Sequence, residues 1–118
     1  MKLGSLKEGG RDGTLIVVDR ELKRAVRASN VAPTLQEALD DWAKVSPKLA
    51  ALAEQLRDDK AAGSFELDTT ALAAPLPRAY QWADGSAYVV HVELVRKARG
   101  VEMPPSFWTD PLLSLIHI

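Results

Sequence analysis

Asp84 and His91 stand seven residues apart in "WADGSAYVVHVELV", a stretch otherwise rich in valine. An imidazole titrates near neutrality and can take a proton from water as a general base. An aspartate can give one oxygen to a hard cation, but Mg²⁺ or Ca²⁺ needs several. Glu93 shares a face with His91 only if the segment is a strand, where side chains alternate. The second histidine, His117, lies in an apolar terminal string and adds no support. The chain has no cysteine, which excludes thiolate nucleophiles, disulfides and cysteine zinc sites. By chemistry alone the set is therefore incomplete, and a lone histidine among valines is more often a packed residue than a catalyst.

The element that carries His91 has two readings. "ADGS" can be an Asp-Gly hairpin turn, which makes "AYVVHVELV" the returning strand, and its valines suit that. It can also hold a helix cap at Asp84 or Ser86. "RKARG" then closes the helix, with Arg96, Lys97 and Arg99 against the negative end of the dipole and Gly100 in the left-handed position. Helix is the favoured reading, and it gathers Tyr88, His91, Val92 and Val95 on one face.

Upstream, "MKLGSLK" and "TLIVVD" flank the glycine-rich turn "EGGRDG", so the chain should open with a hairpin. "TLIVVD" is apolar throughout, as a strand covered on both faces should be. "ELKRAVRAS" alternates loosely and reads as an edge strand. Thr34 precedes Glu37 by three residues, a capping box at the start of a helix. Leu35, Ala38, Leu39, Trp42 and Val45 continue from it at helical spacing, and Leu49, Leu52, Ala53 and Leu56 extend the stripe. Ser46 and Pro47 can begin a second helix or kink a single one, with Gly63 at its end. "SFELDTTALAAPLPRAYQW", with prolines at 75 and 77, reads as a linker into a new unit.

Composition bounds the function classes. The 118 residues fit one modest core, with 47% apolar and 26% charged residues as in ordinary globular chains. Lys and Arg number 15 against 16 Asp and Glu, so nothing favours nucleic acid, and "RKAR" is more simply a helix end. No apolar run approaches the roughly 20 residues of a membrane span, and the N-terminus lacks a signal-peptide core. A cytoplasmic location is expected.

"APLPRAYQWADGSAYVVHVELVRKARGVEMPPSFWTDPL" resembles the fumarylacetoacetate hydrolase family where its N-terminal module joins the catalytic domain. "MKLGSLKEGGRDGTLIVV" and "TLQEALDDWAKVSPKL" look like the N-terminal module of the bacterial branch. The resemblance covers roughly residues 1–112 and is most specific over 75–112. It implies that His91 is the general base and Asp84 a metal ligand. It also implies that an arginine near Arg99, one position out of register, contacts substrate. Ser86 departs from the family, which has a substrate-facing tyrosine there. The implied reaction is hydrolysis of a carbon–carbon bond in a dicarbonyl acid with Mg²⁺ or Ca²⁺, by a homodimer.

The expected fold is α+β. A small N-terminal antiparallel sheet carries a helical hairpin or kinked helix, and the first elements of a truncated mixed-β catalytic domain follow. The expected divisions are an N-terminal module at 1–73, the catalytic start at 74–112 and a non-native tail at 113–118. "LSLIHI" fits neither the family nor an ordinary terminus. The 118-residue chain alone is therefore expected to be inactive, to hold no metal tightly, and to expose Phe107 and Trp108. The competing reading is a stand-alone α+β interaction module with no chemistry.

Overall fold

The computed structural model describes residues 1–85, 89–102, 105 and 113–117. It divides the chain into two compact units, Met1–Ala79 and Tyr80–Ile118.

In the first unit a four-stranded antiparallel sheet runs in the order β1 (Lys2–Leu6), β2 (Thr14–Val18), β3 (Arg24–Arg27), β4 (Phe65–Glu66). The expected hairpin is present, with Lys2 opposite Val18 and Leu6 opposite Thr14. Gly13 explains why its turn needs glycine. Its φ is +72°, and a Cβ there would sit 2.7 Å from the Leu6 carbonyl oxygen. Gly13→Ala should therefore cost about 2–4 kcal/mol, combining left-handed backbone strain with a clash against main chain. Gly63 also has a positive φ but has nothing within 4 Å of a built Cβ, so Gly63→Ala should cost only the backbone part. Denaturant unfolding of the two variants checks this, and equal losses would contradict it.

As expected, β2 is covered on both faces. Leu15 and Val17 face the helices, while Ile16 and Val18 face a second, smaller cluster with Leu6 and Ala25. The helices are α1 (Leu35–Asp40) and α2 (Trp42–Arg57). Thr34 caps α1 as its spacing predicts, its hydroxyl accepting from the Glu37 amide at 3.2 Å. Leu35, Ala38, Val45, Leu49 and Leu56 are buried against the sheet, but Leu39 and Trp42 of the same stripe stay exposed.

Several expectations need correction. The break between helices falls at Asp41 (φ −125°, ψ 41°), and both Ser46 and Pro47 lie inside α2. Pro47 removes one ladder bond, yet both it and Ala43, the residue whose carbonyl it leaves free, are exposed, so water can solvate that group. Helix α2 ends at Arg57, well before Gly63. There Asp59 takes the left-handed position (φ +57°), with Lys60 donating to the Gln55 carbonyl and Asp59 to that of Leu56.

Strand β3 is not an edge, because β4 pairs along its other side. Its first expected residues turn instead: Asp19 accepts the Lys23 amide at 2.8 Å, and Leu22 has φ +60°. Finally, the stretch after Gly63 packs on the sheet through much of its length. Phe65, Leu67 and Leu72 cover the second face. Asp68 caps a 3-10 turn at Thr69–Ala71. The chain then lies beside β1, with Lys7 donating to Ala71 and Ala73 donating to Ser5.

In the second unit β5 (Gln81–Gly85) pairs antiparallel with β6 (Leu113–His117), the segment read as a tail, with Gln81 opposite His117 and Asp84 opposite Ser114. The helix reading holds for α3 (Val89–Ala98). Gly100 closes it at φ +67°, with Val101 donating to Arg96 and Gly100 to Lys97. The valines that argued for a strand lose to this end cap, as β propensity is strongly context-dependent. Asp84 and Gly85 belong to β5, so they form neither a hairpin turn nor a helix cap. Ser86 and Tyr88 lie outside the described residues.

Candidate active site

The three residues with implied chemistry all fall in the second unit. Asp84 is the penultimate residue of β5. His91 is the third residue of α3, in a helix that buries Val92 and exposes Val90 and Leu94. The side chains of Asp84 and His91 lie outside the described residues. Arg99 follows the last helical residue, its amide donating to the carbonyls of Val95 and Arg96 at 3.1 Å. At the standard rise it stands about 12 Å along the helix from His91. Glu93, considered as a partner for His91 only in a strand, belongs to the helix.

A divalent cation needs more than this. Among the described residues, no group of three or more His, Asp or Glu is placed to hold a metal ion. One carboxylate is not a Mg²⁺ or Ca²⁺ site, as those ions take six or more oxygen ligands. The described residues by themselves therefore form no such site. Phe107 and Trp108, expected to be exposed, lie outside the described residues. No helix among the described residues is long and apolar enough to cross a membrane.

The first unit holds polar groupings that sequence reasoning missed. Arg27 donates to both carboxylate oxygens of Glu8, at 2.6 and 3.1 Å, and lies 4.9 Å over the Phe65 ring. That guanidinium holds the Glu8 carboxyl below its ordinary range. The pair borders an open hollow of about 310 Å³, which Lys7, Glu66 and Asp68 also line. Its cations and carboxylates are mixed, and no catalytic pair stands out. Arg78 makes a second two-pronged ion pair, with both oxygens of Asp12 at 2.6 Å, and it likewise lowers the Asp12 carboxyl. The partners in these pairs are far apart in the chain, so no local motif could have marked them.

Residues 1–78 match the family model described as Fumarylacetoacetase N-terminal domain 2. No curated protein matches the chain.

Proposed function

Because the chain belongs to the fumarylacetoacetase N-terminal domain 2 family, we propose that it is the N-terminal part of a metal-dependent hydrolase of carbon–carbon bonds. The observation that carries this reading is the family match over residues 1–78, followed directly by the Asp84–His91 pattern of the catalytic start. The substrate class is a dicarbonyl acid of the acylpyruvate or fumarylacetoacetate kind, met in the breakdown of aromatic compounds.

In this reading His91 takes a proton from water, and the resulting hydroxide adds to the substrate carbonyl. The carbon–carbon bond beside it then breaks. Its electron pair leaves on the adjacent carbon as an enolate, which is reprotonated, and a carboxylic acid is released. Arg99 would hold the far carboxylate of the substrate, so that the carbonyl is presented to His91. Asp84 would supply one oxygen to the Mg²⁺ or Ca²⁺ that polarises the substrate in the complete enzyme. The remaining ligands would come from a downstream catalytic domain, so the 118-residue chain alone should be inactive. Exposed Tyr80, Trp82, Val90 and Leu94 support this, as apolar surface that a further domain would cover. The complete protein would be a cytoplasmic homodimer, with no nucleic-acid or membrane partner.

The alternative, an interaction module without chemistry, draws its support from exposed Leu39 and Trp42 on the helices. The test is to recover the reading frame beyond Pro111, express its longest product with Mg²⁺, and assay acylpyruvates against fumarylacetoacetate. Hydrolysis by the long product but not by residues 1–118 is the expected result. A stop after Ile118 recurring in independent isolates would overturn the hydrolase reading and favour the module.

A further inference from the structure

We propose that Ala71–Arg78 is a clamped exit segment and that Asp12 is the positioning residue that fixes where the chain leaves Met1–Ala79. This is independent of the hydrolase reading. The segment is held at successive points along its length. Lys7 donates to the Ala71 carbonyl at 2.9 Å, and Ala73 donates to that of Ser5 at 2.8 Å. Leu6 and Leu72 form a bridge pair. Ser5, which is 1% exposed, then donates its hydroxyl to the Pro75 carbonyl at 2.7 Å. This hydroxyl is the lone polar side chain among the residues described as buried. Leu76 packs against the helix-side core.

The last anchor is the pair between Arg78 and Asp12 in the β1–β2 turn. Prolines at 75 and 77 stiffen the path between these anchors. A planar guanidinium gripped at both prongs is set in orientation as well as in place, which a lysine at that position would not achieve. Asp12 itself sits in the turn whose backbone Gly13 makes possible, so the turn and the exit are built as one piece.

The clamp can be read by trypsin, which must draw an arginine side chain into its own pocket before cutting after it. In the full 118-residue chain, Asp12→Asn keeps the shape of the side chain and removes its charge. Cleavage after Arg78 should rise about fivefold, as expected for an exposed ion pair at the strong end of its range. Cleavage after Arg57, at the end of α2, should not change, and the unfolding midpoint should fall only by the few degrees that one exposed ion pair accounts for. Arg78→Lys keeps a cleavable residue while losing the two-pronged grip, and should behave alike. It also leaves Asp12 untouched should Asp12→Asn fold poorly. Unchanged cleavage after residue 78 in both variants would overturn the proposal. So would equal acceleration at residues 57 and 78, which reports general loosening.

Discussion

Replacing His91 by alanine in the longest product of the gene should lower kcat by about 10²–10⁴-fold, the usual worth of a general base. At 1.36 kcal/mol per decade that is roughly 3–5 kcal/mol of transition-state stabilisation. KM should change little if, as proposed, the imidazole acts on water and not on the bound acid. The acid limb of the kcat/KM profile should disappear with the ring, whereas a residue that only packs would leave that limb in place. Arg99→Ala gives the contrast, with its larger effect on KM if it holds the far carboxylate. Retained turnover in the His91 variant, with its pH profile intact, would remove the imidazole from the mechanism.

Leu49→Ala should be among the most damaging single truncations in the first unit, beside those of the equally buried Leu15 and Ile16. Leu49 is 0% exposed in α2 and packs in the cluster that includes Leu15, Val17 and Val26 of the sheet. Emptying such a site costs about 2–5 kcal/mol, from lost transfer energy plus the cavity left behind. Small domains hold only about 5–15 kcal/mol in all. At roughly 4–8 °C per kcal/mol, melting should fall by about 8–40 °C. Leu52→Ala, one turn on and only partly buried, should lose less than half as much. Calorimetry on both variants decides it, and equal losses would mean that α2 does not press Leu49 into the sheet as described.

Both leucines belong to one stripe at helical spacing, and periodicity cannot rank them. Burial is set by where the sheet ends beneath the helix, which is a property of the fold. What was legible came from local physics. Thr34 had to cap because an orphan amide lies three residues on, and Gly100 had to close α3 because few other residues tolerate φ +67°. The apolar run in β2 announced two covered faces. What failed was non-local. Strand β3 looked like an edge because its partner is only Phe65–Glu66, too short to show a pattern and far along the chain. The prolines at 75 and 77 suggested a free linker, but the bonds to Ser5 and Asp12 that tie this stretch down have no sequence signature. Asp84 and His91 are proposed from family pattern alone; spacing among valines carries no chemical signal of its own.

The covering of β1 has a consequence for how these molecules meet one another. A border strand with free amides and carbonyls recruits strands from neighbouring chains and seeds fibrils. Here the stretch from Ser5 to Lys7 is already occupied by the chain's own residues 71–73, and the opposite border is only Phe65–Glu66. That leaves a border of three residues at Lys2–Gly4 and one of two at β4, short lengths that give a stranger's strand few bonds from which to start cross-β growth.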